Sequence, residues 1–386
     1  MSLATKIEPT APKRLLALDG GGIRGLISIE VLAAIERQLR TQLNRGPEFR
    51  LCHYFDYVAG TSTGAISATL ISLGMSVDEL RDFYLAHGAA MFDKASVLRR
   101  FQYKYEDDRL AETLRDLFDR YLPVHERSAD HPHITLGSAG LQTLLLLVMR
   151  NATTDSPWPI SNNPKAKYNA RDLENSNLHL PLWKLVRAST AAPTYFPPEE
   201  VQVGGRRFLF VDGGVTTYNN PAFLVFLMAT AGAYRLSWPV GPDKMLVVSI
   251  GTGSSPKADA NLAAGDMNLL YQSGNIPIAL MYAALNEQDL LCRAFGRCLV
   301  GPALDREVGT MMLTEAEEQR EVLPKLFTYL RYNADLSATG LAELGLGDIR
   351  PEKVQKLDSI AHMKDLRRVG EAIARQVRLQ DFAGFV

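Results

Sequence analysis

The hydrophobic pattern at the start of the chain alternates between short apolar runs and longer amphipathic segments. Residues 14–19, with the sequence RLLALD, form an apolar run that stops at three glycines, which is typical of a buried strand. Residues 26–43 carry apolar side chains at every third or fourth position and predict a helix with one buried face. Residues 55–59 predict a second strand, and residues 63–73 a second helix. Two successive strand–glycine–helix units indicate βαβ architecture and a mainly parallel sheet.

The pattern farther along the chain adds strands first and helices later. Three apolar runs predict further strands, at residues 141–150, 206–211 and 244–250. Residues 151–177 are polar, contain three prolines and predict a surface connection. Residues 182–191 predict a helix that Pro193 ends. From about residue 261 the spacing of apolar residues predicts mostly helices.

Composition narrows the classes of function. The 386 residues are 46% hydrophobic and 22% charged, which is typical of an ordinary globular protein. Forty-two Lys and Arg face 43 Asp and Glu, so the net charge gives no support to binding of a nucleic-acid polymer. The three cysteines form no CxxC pair and favour a reducing compartment over disulfides or zinc. No segment resembles a signal peptide or offers the roughly 20 apolar residues of a spanning helix, so we expect a cytoplasmic protein with peripheral membrane contact.

The sequence G-T-S-T-G lies between the second predicted strand and its helix. This context is typical of a nucleophile elbow, in which Ser62 is lifted clear of the sheet at the start of a helix. Gly60 and Gly64 leave room for so tight a turn because they carry no Cβ atom. In the alternative interpretation the segment is a glycine-rich turn and Ser62 only caps the helix.

A run of glycines, D-G-G-G-I-R-G, lies between the first predicted strand and its helix. Gly20, Gly22 and Gly25 formally match the G-x-G-x-x-G of dinucleotide-binding turns. That interpretation requires an acidic residue at the end of the next strand, which ends in a glycine instead. A second interpretation is an oxyanion hole, formed by the amides of Gly20, Gly21 and Gly22 with the positive charge of Arg24 nearby. A purely structural turn is the third.

Asp212 ends a predicted strand and precedes two glycines, Gly213 and Gly214. Ligands of α/β sheets bind at the carboxyl ends of strands, which makes this carboxylate a candidate for chemistry, although Asp before Gly-Gly is also a common turn. No histidine lies in a motif with Ser62, so the sequence does not support a Ser-His-Asp triad, whose members need be adjacent only in space. The seven histidines are His53, His87, His125, His131, His133, His179 and His362.

Together these elements resemble the patatin-like phospholipase family. The matching segments, in the order of the family, are D-G-G-G-x-R-G at 19–25, G-x-S-x-G at 60–64, the stretch R-A-S-T-A-A-P-T-Y-F-P at 187–197, D-G-G at 212–214 and N-N-P at 219–221. The resemblance covers about residues 14–223, with weaker similarity at 249–253 and 329–333.

The resemblance implies a three-layer α/β/α sandwich and a catalytic dyad of Ser62 and Asp212 without a catalytic histidine. The backbone of residues 20–22, helped by Arg24, would form the oxyanion hole. The implied activity is hydrolysis of fatty-acyl esters of phospholipids or lysophospholipids through an acyl-enzyme on Ser62, with no metal and no cofactor. An acyltransferase that uses the same dyad, and a catalytically silent lipid-binding module, are the alternatives.

The predicted domain organisation follows from the extent of the resemblance. We expect a flexible tail at residues 1–12, a catalytic domain at 13–310 with its motifs in 14–223, and a mostly helical extension at 311–386 packed on the same domain. The expected partner is a phospholipid or lysophospholipid at a membrane surface. The sequence leaves open whether a partner protein or a small messenger activates the enzyme.

Overall fold

A nine-stranded, mainly parallel sheet forms the centre of the part of the chain that the computed structural model describes, which is residues 3–92, 108–127, 132–193, 195–254 and 269–386. The strands are β1 (Lys13–Leu18), β2 (Tyr57–Thr61), β3 (Leu144–Asn151), β4 (Ser156–Ser161), β5 (Glu199–Val203), β6 (Arg206–Asp212), β7 (Met245–Ile250), β8 (Gly296–Val300) and β9 (Phe327–Tyr332). Their order is β5-β6-β3-β2-β1-β7-β9-β8, and β4 also pairs with β3. The pairs among β1, β2, β3, β7, β8 and β9 are parallel, whereas β4, β5 and β6 pair in antiparallel fashion.

Helices cover both faces of this sheet. They are α1 (Leu3–Ile7), α2 (Gly25–Gln42), α3 (Thr63–Ser72), α4 (Val77–Phe92), α5 (Asp108–Asp119), α6 (Leu182–Ser189), α7 (Ala222–Thr230), α8 (Leu269–Phe295), α9 (Glu315–Glu318), α10 (Ala338–Glu343), α11 (Pro351–Val354) and α12 (Met363–Ala374). No helix within the described ranges combines the length and the apolar content that crossing a bilayer requires.

Two hydrophobic cores lie on opposite faces of the sheet. Side chains alternate along a strand, so Leu16 and Leu18 of β1 join one core, and Leu15 and Ala17 join the other. The first core includes residues of α2 to α6 and of α10 to α12, and the second includes residues of α1, α7 and α8. The predicted α/β class with three layers is therefore confirmed.

Strand β3 brings the ends of two other strands together. β2 pairs with the first part of β3 in parallel, up to Thr61 opposite Val148. β6 then pairs with the last part of β3 in antiparallel fashion, with Asp212 opposite Met149. Because β4 occupies the other edge of β3, β6 continues the edge on which β2 ends. The carboxyl ends of β2 and β6 therefore meet at adjacent positions of β3.

The N-terminal segment differs from the loose tail predicted for residues 1–12. Residues 3–7 form helix α1, and the Lys6 ammonium donates to the carbonyl oxygens of Cys52 and Phe55, the latter at 2.6 Å. Burial lowers the pKa of Lys6 to about 8. Since Ile7 is buried in the second core, this helix is fixed to the sheet by both polar and apolar contacts.

Four strands lie where the pattern predicts none. β4 falls within the segment 151–177 that we predict to be a connection, and β5 falls between the predicted helix 182–191 and the predicted strand 206–211. β8 and β9 fall within the last third of the chain, which we predict to be mostly helical. β9 lies beyond residue 310 and sits between β7 and β8 in the sheet. The C-terminal part of the chain therefore contributes a strand to the sheet as well as helices around it.

Candidate active site

Ser62 occupies the sharp turn between β2 and α3. Its φ of 55° and ψ of −124° lie in a region that residues other than glycine adopt only under strong restraint. The Ser62 amide donates to Ser189 Oγ at 3.0 Å, and the Ser189 hydroxyl donates to the Val148 carbonyl at 2.6 Å. Two successive hydrogen bonds thus tie the strained residue to the end of β3.

The glycines on either side of Ser62 are required by close backbone approaches. A Cβ atom at Gly60 would collide with the carbonyl of Gly64, one turn into the helix. A Cβ atom at Gly64 would collide with the carbonyl of Leu18 at the end of β1. The strand–turn–helix geometry predicted for G-T-S-T-G is present, and both glycines have a steric reason.

Asp212 lies directly beside Ser62. Its Oδ2 accepts the Ser62 hydroxyl at 2.6 Å, and its Oδ1 accepts the amide of Gly214 at 2.7 Å. The residue is only 4% exposed, and burial raises the pKa of Asp212 to about 6 against the lowering effect of these two hydrogen bonds. A Cβ atom at Gly213 would collide with the Val148 carbonyl, which explains the first glycine of D-G-G. The result is a buried carboxylate in hydrogen-bond contact with a serine at an elbow.

The segment after β1, residues 19–24, approaches the same serine and is here called the glycine loop. The amide of Gly20 donates to the carbonyl of Asn219 at 3.1 Å, and the Gly20 carbonyl accepts the Thr252 hydroxyl at 2.8 Å. A Cβ atom at Gly20 would lie 3.2 Å from the Cβ of Ser62 and would collide with Asn219. The loop is therefore held against the elbow, and the Gly20 amide is already engaged.

The next two amides of the glycine loop are different. Within the described ranges, the N–H groups of Gly21 and Gly22 have no hydrogen-bond acceptor. Gly22 has φ 59°, and a Cβ atom there would collide with the carbonyl of Leu357. A Cβ atom at Gly21 would collide with the side chain of Thr252. Both positions need glycine, and both amides are without an acceptor among the described residues.

Arg24 connects the glycine loop to the C-terminal part of the chain. Its Nη1 donates to the carbonyl of Gln355 at 3.1 Å, and the neighbouring amide of Ile23 donates to the carbonyl of Leu357 at 3.0 Å. Burial lowers the pKa of Arg24 to about 10, so the guanidinium stays protonated at neutral pH. The structure thus places Arg24 beside the loop as a cation that also anchors it.

The histidines have their polar partners elsewhere. Of the seven, His131 lies outside the described residues, and none of the other six hydrogen-bonds to Ser62 or Asp212. Their contacts include those of His53 with Arg50, His133 with Asp119, His179 with Arg171 and His362 with Asp365. In the same part of the chain, no group of three or more His, Cys, Asp and Glu residues forms a candidate metal site.

Three residues of the site received no role from the sequence. Ser189 holds the elbow, Asn219 lies against Gly20, and Thr252 binds the glycine loop. Each falls in a stretch that resembles the family, at 187–197, 219–221 and 249–253. The stretch was therefore visible in the sequence, but the contact partner of each residue was not.

Comparisons with known proteins agree with the motifs. The family model described as Patatin-like phospholipase matches residues 16–226. Patatin-17 of Solanum cardiophyllum is 28% identical over 268 residues, which are 65% of this chain and 63% of that protein. Patatin-like protein 1 of Arabidopsis thaliana is 29% identical over 292 residues, which are 68% of this chain and 66% of that protein. The chain thus spans 63% to 66% of the length of these relatives.

Among solved structures, VipD from Legionella pneumophila aligns with a TM-score of 0.37 and 14% sequence identity, over 95% of this chain and 66% of that chain. The family model rests on a much more specific match, since it covers more than half of the chain and includes all three motifs. The chain belongs to the patatin-like phospholipase family.

Proposed function

We propose that the protein is a serine lipid acyl hydrolase with Ser62 as nucleophile and Asp212 as general base. The observation that carries the proposal is the 2.6 Å hydrogen bond from the Ser62 hydroxyl to Asp212, at an elbow where no described histidine is within hydrogen-bond reach. A nucleophile in direct contact with its base is the geometry that covalent catalysis requires.

The raised pKa of Asp212 addresses the main weakness of a carboxylate base. At its ordinary pKa near 4, a carboxylate is a poor acceptor for a hydroxyl proton. Burial raises the pKa of Asp212 to about 6, which strengthens the base while leaving it ionised at neutral pH. The short, charge-assisted hydrogen bond also orients the serine before substrate arrives.

The glycine loop supports the second requirement, which is stabilisation of negative charge on the attacked carbonyl. Gly20 donates its amide to Asn219, so we assign the oxyanion hole to the amides of Gly21 and Gly22. Arg24 contributes a positive charge beside them. Backbone donors fixed in advance do not have to reorient as charge develops, which is the source of their effect on rate.

The reaction then proceeds in two halves. Ser62 Oγ attacks the ester carbonyl while its proton moves to Asp212 Oδ2, and the carbonyl oxygen becomes an oxyanion held by the loop amides. The C–O bond to the leaving alcohol breaks as the alcohol takes the proton from Asp212. A water then attacks the acyl-enzyme and gives a proton to the same carboxylate. The bond between the acyl carbon and Ser62 Oγ breaks as Oγ takes that proton back from Asp212, which releases the fatty acid and restores both residues.

A cavity of about 510 Å³ lies next to the end of β6; neither Ser62 nor Asp212 lines it, so an acyl chain would extend into it from the site. One wall is formed by residues 215–217, directly after Asp212-Gly213-Gly214, and the neighbouring Tyr218 carbonyl accepts the hydroxyl of Thr61 at 2.7 Å. The residues that line the cavity are Arg150, Pro157, Val215, Thr216, Thr217, Leu280, Met281 and Ala284. We assign the acyl chain of the substrate to this largely apolar space. Because the chain belongs to the patatin-like phospholipase family, we propose phospholipids and lysophospholipids as the substrate class.

A fluorophosphonate ester probe followed by peptide mapping tests the nucleophile. We expect the purified protein to be labelled at Ser62, and the Ser62→Ala variant to be unlabelled. Ser67→Ala is the matched control because Ser67 is a buried serine of α3, the helix that follows Ser62, and its labelling should equal that of the original chain. Labelling of another residue, or none in a folded protein, overturns the assignment.

Product analysis tests the reaction itself. We expect vesicles of phosphatidylcholine or lysophosphatidylcholine to release free fatty acid, and an added alcohol to leave that product dominant. Transfer of the acyl chain to the alcohol in place of water indicates the acyltransferase. Lipid binding without labelling or turnover indicates the silent module.

A further inference from the structure

Four buried charged side chains lie together beside β7 and β9. Arg331 donates from Nη1 and Nη2 to the two oxygens of Asp19 at 2.9 and 2.6 Å. Arg293 donates from Nε and Nη2 to the two oxygens of Asp289, both at 2.9 Å. The Nε of Arg331 lies 4.0 Å from Asp289, which joins the two pairs. We call these four residues the buried charge cluster.

Arg331 reaches Asp19 across an entire strand. In the sheet, β7 lies between β9, which carries Arg331, and β1, which Asp19 follows. Neighbouring strands are about 4.8 Å apart, so the side chains of Arg331 and Asp19 together bridge about 10 Å between the two backbones. On the way its Nη1 donates to the hydroxyl of Ser249, the residue opposite Arg331 on β7, at 2.7 Å.

Asp19 is the first residue of the glycine loop. Its amide donates to the Ile250 carbonyl at 3.1 Å, so Asp19 is held by β7 through its backbone and by β9 through its side chain. The Ser249 hydroxyl in turn donates to Asn220 at 3.2 Å, next to the Asn219 carbonyl that binds Gly20. The Arg331 guanidinium therefore contacts the glycine loop by two routes. One runs directly to Asp19, and the other runs through Ser249 and Asn220 to the segment that binds Gly20.

We propose that Arg331 is a positioning residue that sets the orientation of the Gly21 and Gly22 amides through Asp19. The inference rests on the proposed function, because it concerns the oxyanion hole of that reaction. Arg331 touches neither Ser62 nor Asp212. The two-pronged bond fixes the Asp19 carboxylate in direction as well as in distance, which a single charged donor does not do.

The arginine lies outside the segment that the family model covers, which ends at residue 226. Its partner Asp19 lies within that segment, at the first position of D-G-G-G-x-R-G. The oxyanion loop of the motif-bearing region thus depends on a side chain supplied by the C-terminal part of the chain.

Arg331→Lys is the decisive variant, because it keeps the charge and removes the fork. We expect kcat to fall about 10-fold to 100-fold, since a small misplacement of one oxyanion donor is enough for such a loss. KM should change by less than about twofold, because the loop amides act on the transition state rather than on bound substrate. The acid limb of the pH profile should stay where it is, since Asp212 is untouched.

Arg293→Lys is the matched control. Arg293 is fully buried, forms the same kind of two-pronged bond and belongs to the same cluster, but it contacts Asp289 and the Thr310 carbonyl rather than the glycine loop. We expect this variant to lower the melting temperature as Arg331→Lys does and to leave kcat of the folded protein within about twofold.

Ser249→Ala gives a second route that buries no unpaired charge. It removes one bond to Arg331, and we expect a loss of about threefold to tenfold in kcat with unchanged KM. Unchanged kcat in folded Arg331→Lys and Ser249→Ala, or an equal loss of kcat in Arg293→Lys, overturns the inference. Absence of esterase activity and probe labelling in the unsubstituted protein overturns the proposed function instead.

Discussion

Two buried aspartates at the ends of strands occupy contrasting surroundings in this protein. Asp212, at the end of β6, is 4% exposed and accepts hydrogen bonds from a serine hydroxyl and a backbone amide. Asp19, which follows β1, is 1% exposed and accepts two hydrogen bonds from the Arg331 guanidinium. Similar burial is thus combined with neutral partners in one region and with a cation in the other.

The partners decide what each carboxylate can do. Burial raises the pKa of Asp19 against the lowering effect of Arg331, and Asp19 in turn holds the pKa of Arg331 above its usual value, so the guanidinium stays protonated beside the carboxylate. Within the described residues, no cation pairs with Asp212, and burial raises its pKa to about 6. A carboxylate locked by a guanidinium serves as an anchor, whereas one held by neutral donors can still take up and release a proton.

The largest predicted effect is on turnover when Asp212 is changed. Asp212→Asn keeps the size of the side chain but cannot accept the proton of Ser62, so we expect kcat to fall about 10⁴-fold. The double variant with Ser62→Ala should be little worse, because the two residues act as one unit. Rates of ester hydrolysis by the purified variants measure both effects.

Asp381→Asn is the control for this prediction. Asp381 is also 4% exposed, but it hydrogen-bonds to Tyr332 and Arg378 near the end of the chain. We expect its replacement to leave kcat within a few-fold. If a single His→Ala variant loses as much activity as Ser62→Ala while Asp212→Asn stays active, a conventional triad replaces the proposed pair.

The sequence predicts the chemistry of this pair but not the contact between its members. Ser62 and Asp212 each show a local signal, since each ends a strand and adjoins glycines. Their contact depends on the register of β3, which puts Thr61 opposite Val148 and Asp212 opposite Met149. Such pairing is set by the packing of whole strands, and no spacing within the chain encodes it.

The sequence reveals even less about the contact between Arg331 and Asp19. Arg331 is separated from Asp19 by 312 positions in the chain, and the stretch Y-L-R-Y-N that contains it shows only weak similarity to the family. Its strand is six residues long and lies in a region whose apolar spacing predicts mostly helices. The spacing of apolar and polar residues therefore does not reveal which two charged side chains form an ion pair across an intervening strand.

The missed strand β4 has a different cause. Its sequence, S-P-W-P-I-S, contains two prolines, which favour a loop in any local interpretation. Proline is tolerated in a strand that uses only one edge for pairing, and among the described strands β4 pairs with β3 alone. The two prolines are compatible with a strand because β4 lies at an edge, and this position is known only from the folded sheet.

Replacement of Asp by Asn should change the free energy of unfolding in opposite directions at Asp19 and at Asp212. Asp19→Asn removes the carboxylate that binds both Nη atoms of Arg331, leaves only Asp289 at 4.0 Å as a counter-ion, and should lower the free energy of unfolding by about 3–5 kcal/mol. Asp212→Asn removes a carboxylate whose folded pKa is above its unfolded value of 3.8. A raised pKa means that ionisation opposes folding, so this variant should be the more stable one at high pH.

The size of the gain follows from the shift. A rise from 3.8 to about 6 corresponds to about 3 kcal/mol, a net figure that already includes the opposing effect of the hydrogen bonds from Ser62 and Gly214. We expect Asp212→Asn to be about 3 kcal/mol more stable than the original protein at pH 8, and the advantage to vanish below about pH 4. Urea unfolding at the two pH values measures this, and equal signs for the two aspartates would contradict the comparison.

The smallest effect concerns the pH dependence of the unsubstituted enzyme. Asp212 must be ionised to act as base, and burial raises its pKa to about 6, so kcat/KM should fall as the pH drops through about 6. At pH 5 about one-tenth of the molecules carry the ionised form, which predicts a rate about tenfold below the plateau.

A histidine would titrate in a similar range, with an ordinary pKa near 6.5, so the position of the acid limb does not by itself identify the base. Temperature separates the two groups. Ionisation of a carboxyl group absorbs little heat, whereas ionisation of an imidazolium absorbs much more, so only the histidine limb moves to lower pH on warming. We expect the apparent pKa to stay constant with temperature, with intrinsic tryptophan fluorescence showing that the protein remains folded at pH 5. An acid limb that moves with temperature as an imidazole does would assign the proton transfer to a histidine and remove the functional contrast between Asp212 and Asp19.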